Sequence, residues 1–459
     1  MTASGVIPAL IQRHAGDAAF YWQQHDQSAH SPLVGLPQLL EFDRLLDAHL
    51  DGLRVAGLAG WDTALAELTR WRSAPEVFVC ATLALESEAR GPRLQAIWAV
   101  LQTEPERMLR GLIAALAWAP AELAMAWCTY WLKPEAPPAL TVAAWRVRAL
   151  HPHSQAHPLE AEFVAALPQA LASPQPHVRA ACCRVAAWAQ PTALWPLLQD
   201  PQTQVRAEAA IALLGASANT PAKAAANAAE RPGPAKLALT TQQHDQAAGV
   251  LWQACESLGR ELSSLSGWYR SRAQHRLARW VCHLGLVAPL GHPAIAQLLG
   301  LLPPRLGLWF ALHHGDGQYL PWVLEQMPNP EVSRLAAWVW SAFTGVDLQA
   351  QGLTLPPRGA DQAPRPTDLQ DPGLPEPDVT RIAALGQSLP PKVASLYGQP
   401  LDEALLRSNL WHAPQALRWI AAQRLARLGQ APLNTRWHAR AQQDLLASLT
   451  PAPQAVAAA

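Results

Sequence analysis

Apolar residues recur along this chain at helical spacing, and no stretch sustains the apolar–polar alternation of a β-strand. The pattern is clearest between Ser173 and Gly215. There Val178, Ala181, Cys182, Val185 and Ala186 fall at i, i+3, i+4, i+7 and i+8, one stripe of a helix. Val205, Ala209, Ala212 and Leu213 trace the same stripe in the next helix, and Gly215 is placed to end it. Between them, Pro191 to Leu198 predicts a short helix carrying Leu194, Leu197 and Leu198. Asp200-Pro201 predicts the turn that follows, because an Asp caps free N–H groups and a proline is tolerated at a helix start.

Val178-Arg179 recurs as Val205-Arg206, each pair leading an Ala-rich helix. This alternation of apolar helix, Asp-Pro turn and Val-Arg-led helix resembles the HEAT repeat family. Stacking explains the pattern: small Ala and Cys side chains let helices approach closely, and no single repeat buries enough surface to fold alone. A turn Asp can also pair with the Arg of an adjacent unit. Weaker copies start at Pro75, Pro105, Asn329 and Pro414, the third after a helix predicted over Gln318 to Gln326. The expected fold is therefore all-α, a HEAT-like helical-repeat solenoid. Two segments interrupt it: 216–241 is low-complexity and reads as a linker, and 349–378 holds seven prolines and reads as an extended connector. The expected organisation is a helical region over 1–215, a middle block over 242–348, a C-terminal block over 379–448 and a flexible tail over 449–459.

Composition narrows the setting. The chain has 459 residues, half of them apolar, and Lys+Arg balance Asp+Glu at 35 each. A protein that coats nucleic acid or an anionic membrane normally carries a basic excess, so both partners are disfavoured. The six cysteines form no CxxC pair and sit mostly on Ala-rich faces, which reads as buried thiols in a reducing compartment. Arg13, His14 and Asp17 interrupt the N-terminal apolar stretch too early for a signal peptide, and Pro120 and Glu122 break the most apolar region. A cytoplasmic protein is expected.

Candidate chemistry is sparse. His153 and His157 have the i, i+4 spacing of metal-binding helices, but flanking Pro152 and Pro158 favour a surface turn that also takes in His151. His313-His314-Gly-Asp316 reads as an interhelical turn in which Asp316 caps the next helix. Cys182-Cys183 beside Arg184 could form a reactive thiol, yet Cys182 lies on the buried stripe with no His partner evident. No nucleophile elbow, phosphate loop or dinucleotide fingerprint occurs, so no catalytic residue, metal or cofactor is expected. Trp is abundant, 20 against 5 Tyr and 6 Phe. Most suit the role of bulky filler between Ala-rich helices, while Trp188 and Trp340 are candidate anchors on a binding surface. Charge is patterned too. Arg270, Arg272, Arg276 and Arg279 lie in a stretch without acids, as do Arg407, Arg418, Arg424, Arg427, Arg436 and Arg440. The stretch 41–67 leans acidic through Glu41, Asp43, Asp47, Asp51, Asp62 and Glu67. Such polarity could order a partner, pair subunits head to tail, or fold one part of the chain against another. Arg270, Arg272, Arg276, Arg279, Arg418, Arg424 and Arg427 are the candidate partner-binding cations.

Beyond the repeat itself, Arg334-Leu-Ala-Ala, the ending Phe343-Thr-Gly-Val-Asp-Leu348, and Arg418 with Ile420-Ala-Ala and Leu428-Gly429 are similar to a proteobacterial family of HEAT-like proteins of unknown biochemical function. The resemblance implies genes placed near type VI secretion components, with a spike, tip or effector protein as partner. It defines no catalytic residue. The expected function is a non-catalytic protein-binding scaffold or adaptor. An immunity protein that blocks a toxin, and a nucleic-acid-acting HEAT enzyme of the alkyl-base glycosylase type, are the alternatives.

Overall fold

Two short sequences, Ser173-Pro-Gln-Pro-His-Val-Arg179 and Asp200-Pro-Gln-Thr-Gln-Val-Arg206, turn the chain in the same way. In each, the first side chain accepts the backbone N–H two residues on: Gln175 to Ser173 Oγ at 3.2 Å, Gln202 to Asp200 Oδ1 at 2.8 Å. The arginine then reaches back six positions, Arg179 to the Ser173 carbonyl at 2.6 Å and Arg206 to the Asp200 carbonyl at 2.7 Å. Asn329 makes the same side-chain turn with Glu331 N–H at 3.0 Å. Local hydrogen bonding of this kind is why Asp, Asn and Ser favour turns over helix interiors. The short helix predicted between the two turns is a pair of 3-10 turns, Pro191–Leu194 and Pro196–Gln199.

The computed structural model describes residues 7–151, 159–216, 239–356, 370–430 and 432–449; the fold is all-α, and the regular elements among these residues are helices apart from one short hairpin, Ser395–Leu396 with Gln399–Pro400. Its residues divide into two units, one built mainly from Met1–Leu197 and Asn409–Pro453, the other from Leu198–Leu214 and Ala238–Ser408. This division departs from the boundaries drawn at 215 and 379. The predicted C-terminal block is shared between the units, because its last helices return to the N-terminal ones.

In the first unit the chain forms α1 (Pro8–Gln27), α2 (Leu36–Val55), α3 (Leu58–Trp71), α4 (Ala74–Leu85), α5 (Arg90–Leu101), α6 (Pro105–Trp118), α7 (Ala121–Tyr130), α8 (Pro138–Leu150), α9 (Ala161–Leu171) and α10 (Pro176–Ala189). Helices α1, α4, α6, α8 and α10 pack side by side as one layer. Helices α3, α5, α7 and α9 each pack on a neighbour from that layer. The inner helices are correspondingly apolar: α4 buries Val77 to Ala81 and Leu83 to Leu85, and α6 buries Gly111 to Ala117 without a break. Close approach sets one residue here, since a Cβ at Gly111 would lie 2.0 Å from the Ala74 carbonyl oxygen.

The second unit contains α11 (Thr203–Ala216), α12 (Thr241–Glu261), α13 (Gly267–Val287), α14 (Ile295–Leu301), α15 (Pro304–His314), α16 (Leu320–Gln326), α17 (Ser333–Thr344) and α18 (Val379–Ala384). Thr240 and Gln243 open α12 with reciprocal side-chain-to-backbone bonds of 3.2 and 3.0 Å. Successive contacts of α12 with α13, α13 with α15, and α15 with α17 build a second layer. Helices α15 and α17 end on Gly315 and Gly345, and one downstream segment closes both ends. Ser395 N–H bonds the Gly315 carbonyl at 2.8 Å, and the tip of a two-residue hairpin, Tyr397-Gly398, donates to the Ala342 and Phe343 carbonyls at 2.8 and 2.7 Å. Those carbonyls are the ones a helix terminus leaves without a partner.

Asp316 anchors this lacing. Fully buried, its carboxylate accepts backbone N–H groups from Gly291 at 2.9 Å, Gln318 at 3.1 Å and Lys392 at 2.8 Å. It caps the 3-10 turn Gly317–Tyr319, as the sequence led one to expect, and also joins three separate stretches of chain. The described ends of the Pro-rich segment are folded rather than extended free of the core. Leu355 N–H bonds the Glu376 carbonyl, Asp378 N–H bonds the Leu353 carbonyl, and Leu353 and Leu374 are buried. Arg305 and Arg334 fasten the returning strand through Asp371 and Glu376.

Three further helices finish the chain: α19 (Glu403–His412), α20 (Gln415–Arg427) and α21 (Ala439–Leu449). Gln415 N–H bonds the Val34 carbonyl at 2.7 Å, Ala416 N–H bonds the Ser31 carbonyl at 3.1 Å, and α21 packs on α2. Among the described residues no helix is long and apolar enough to cross a membrane. For Asp316→Asn, whose amide nitrogen would face a backbone donor, we expect a loss of roughly 2–3 kcal/mol, read as a lower urea midpoint at unchanged slope. A midpoint equal to that of the wild type would show that the three N–H contacts are energetically idle.

Candidate functional site

In the first unit, several buried or half-buried ionisable groups gather where the start and the end of the chain meet. Asp43 on α2 and His25 on α1 are both 1% exposed, with His25 Nδ1 2.7 Å from Asp43 Oδ1. The other Asp43 oxygen accepts the backbone N–H of Ala439, the first residue of α21, at 2.5 Å. A carboxylate at that place also faces the positive end of the helix dipole. Beside it, His438 Nε2 lies 3.1 Å from Asp47 Oδ2, and the edge of its ring meets Trp118, which takes His25 in the same way. Asp26 receives Arg110 from α6 and Arg436 at 3.2 Å from the C-terminal loop. Trp437 Nε1 donates to the Leu150 carbonyl at 2.5 Å.

The same loop is held from behind by Arg418. This guanidinium is fully buried and donates to the Leu410 carbonyl at 2.8 Å, Gln415 Oε1 at 2.5 Å and Gln442 Oε1 at 2.9 Å. Those bonds point the two amide NH2 groups toward the loop, where Gln415 holds the Thr435 carbonyl and Gln442 the Trp437 carbonyl. With only neutral acceptors around it, burial pushes Arg418 down to about 10. A buried hydrogen-bonded network of this kind favours one geometry.

Charge states follow from these contacts. Burial alone would raise the Asp26 carboxyl, but Arg110 and Arg436 outweigh it and hold the group at about 2. For His438, burial would lower the imidazole, and the bond to Asp47 with the charges of Asp43 and Asp47 turns the balance upward. His25 and Asp43 have the pairing of a general base and its orienting acid. The His25 Nε2 is nevertheless buried against Trp118 with no hydrogen-bond partner among the described residues, so the pair is closed to substrate in this conformation. A cleft of about 260 Å³ lies alongside, lined by Trp118, Pro120, His151, Trp437 and His438. Among the described residues no three or more His, Cys, Asp or Glu gather to hold a metal. His153 and His157 lie outside the described residues, and His151 is buried, its Nε2 3.0 Å from the Ala119 carbonyl. Cys182 is buried, and desolvation pushes its thiol up to about 12, against a nucleophilic role.

The remaining partner-binding candidates separate sharply. Trp340 is 2% exposed inside α17 and Arg418 is wholly enclosed, so neither offers its side chain to a partner. The stripe logic that placed Trp340 outside fails because α17 is buried on more than one face. Arg424 and Arg427 are half-buried, and burial pushes both down to about 10. Trp188 is half-buried with Arg148 5.9 Å from its ring, and its indole N–H has no partner among the described residues. Arg279 is committed to a bidentate pair with the buried Glu208 of α11.

The most exposed of the candidate stretches is the start of α13. Trp268 and Tyr269, at 52% and 70% exposure, form an edge-on pair 5.1 Å apart. Arg272 stacks on Trp268 at 5.1 Å, Arg270 is exposed, and Arg276 continues the Trp268–Arg272 line one turn further. Burial, and after it the neighbouring charge of Arg276, holds the Arg272 guanidinium below its usual range. The sequence marked the arginines here and missed the two aromatics, although their adjacency to the Arg run was the available signal.

Compared with protein-family models, with curated proteins and with solved structures, the chain finds no match in any of the three.

The closure has a defined pH window. A raised His438 contributes stability that is fully present below the unfolded value, about 6.5, and is lost as pH climbs through the folded one. A lowered Asp26 contributes stability that is present above about 4 and is lost as pH falls toward about 2. The stability gap between wild type and His438→Gln should therefore be widest on the acid side of pH 6.5 and narrow with rising pH. A gap that widens toward alkaline pH would contradict the charge assignment.

Proposed function

We propose that this protein is a non-catalytic, HEAT-like scaffold that captures an acidic segment of a partner protein on the α13 face carrying Trp268, Tyr269, Arg270, Arg272 and Arg276. The observation that carries this reading is the exposed aromatic pair with Arg272 stacked on Trp268. Large solvent-facing aromatics flanked by Arg are the composition of binding hot spots. Arg over Trp pre-orders the guanidinium, which lowers the entropy lost when it meets a carboxylate.

Charge complementarity selects the partner. Most of the chain's own acidic stretch is occupied: Glu41 pairs with Arg44, Asp51 with Arg54, Glu67 with Gln12 and Trp71, and Asp43 and Asp47 with the C-terminal segment. Within the chain Glu208 already acts on Arg276 and pairs with Arg279, and further carboxylates for the α13 face are sought on another protein. A nucleic-acid duplex is a poorer fit, since the face offers fewer cations than the six to ten or so phosphate contacts of a typical site, on a chain of zero net charge. The resemblance to HEAT-like proteins encoded near type VI secretion genes places a spike, tip or effector protein first among partners to try.

A fluorescein-labelled peptide rich in Asp and Glu, with one Phe, is the probe. We expect saturable binding that weakens with salt and drops about tenfold or more in Arg272→Glu with Arg276→Glu, and comparably in Trp268→Ala. The exposed Arg13→Glu, in the other unit, should leave it unchanged. Equal binding by wild type and the α13 variants overturns the proposal, as does tighter binding of a single-stranded DNA of matched charge.

A further inference from the structure

Helices α1 and α2 form an antiparallel pair, and one point on their seam is built differently from the rest. His14 and His49, separated by 35 positions in sequence, face each other with their Nδ1 atoms 3.0 Å apart. The other nitrogen of His49, Nε2, lies 3.7 Å from Asp17 Oδ2, and Tyr21 stacks on the same ring at 5.6 Å and 21°. Opposite His14 stands Gly52, where an added Cβ would come within 2.7 Å of the His14 ring. The glycine is what allows that imidazole to lie in the seam.

Two imidazoles that present the same nitrogen to one gap can share a proton or share a cation. With metal–nitrogen bonds of about 2.0–2.1 Å, two ligands at a right angle sit about 2.9 Å apart, and two at the tetrahedral angle about 3.4 Å. The observed separation matches the right-angled case. That geometry belongs to tetragonal Cu2+ and Ni2+ more than to tetrahedral Zn2+. A carboxylate on the far nitrogen is the usual outer partner of a metal-bound histidine.

We propose that His14 and His49 form a two-histidine clamp, through their Nδ1 atoms, for a divalent transition-metal ion, Cu2+ or Ni2+ ahead of Zn2+, with solvent oxygen completing the coordination. The proton that bridges the pair without metal moves to a ring Nε2, so both rings remain neutral, and the Nε2–H of His49 faces Asp17. Asp17 acts as an orienting group and not as a ligand. The site is distinct from the α13 face and does not depend on the binding role proposed for it.

Titration calorimetry of the whole protein with CuCl2, NiCl2, ZnCl2 and MgCl2 in turn tests this. We expect one saturable site for the first two, weaker binding of Zn2+, none of Mg2+, and reversal by a chelator. His14→Ala and His49→Ala should each weaken Cu2+ binding about tenfold or more, whereas His275→Ala, at an exposed position of α13, should not change it. Electron paramagnetic resonance of the Cu2+-loaded wild type supplies a readout independent of any variant: splitting from two equivalent nitrogens is expected. Absence of binding for all three transition metals overturns the proposal. So does binding that survives in both histidine variants, or a Cu2+ spectrum without nitrogen splitting.

Discussion

The carboxylate of Asp43 lies at the centre of the contacts that join the start of the first unit to its end. One of its oxygens faces an imidazole on the neighbouring helix and the other caps a helix that begins near the far end of the chain. Neither contact is exposed to water, so both act at the strength of a low-dielectric interior. Around this point the remaining polar groups fall into place: His438 against Asp47, Arg436 against Asp26, and the tryptophans 118 and 437 with each indole N–H on a carbonyl. Helix-on-helix layers supply most of the buried area, but they leave the direction of the last segment undetermined. The Asp43 contacts, with those of Asp26, Asp47 and the Leu150 carbonyl, fix it.

The second unit solves an equivalent problem with a different device. Two neighbouring helices end at glycine, and their unpaired carbonyls are met by one strand-like segment anchored on Asp316. Both units thus rely on a buried acid whose partners are mainly backbone N–H groups or an imidazole ring. Such an acid confers direction, since an N–H must point along the carboxylate lone pairs, whereas apolar packing tolerates sliding.

Much of the helical content was legible because its signals are local. Periodicity, Pro at helix starts, and Ser, Asp or Asn at turns all act within a few residues, and the Val-Arg turns at 173–179 and 200–206 formed where those signals lie. The closure was only hinted at, as a balance of acids near the start and arginines near the end that could fold one part against another. Which acid meets which donor depends on contacts across almost the whole chain, and no periodic pattern encodes those. Arg418 shows the limit in one residue. A cation amid other arginines reads as surface, and only the placement of Gln415, Gln442 and the Leu410 carbonyl around it shows why it is enclosed. Trp340 fails for a related reason, since stripe logic assumes a helix with one dry side.

Asp43 and Ala439 are 396 positions apart. At a synthesis rate of about 5–20 residues per second, the helix that Asp43 caps emerges on the order of 20–80 s after the acid itself. Through that interval the early helices of the first unit exist without their closing partner, with His25 and Trp118 in place and the seat for α21 uncovered. The first unit is therefore completed only by its final residues, and a ribosome that stops short of them releases a layer of helices with a bare carboxylate where its last contact belongs.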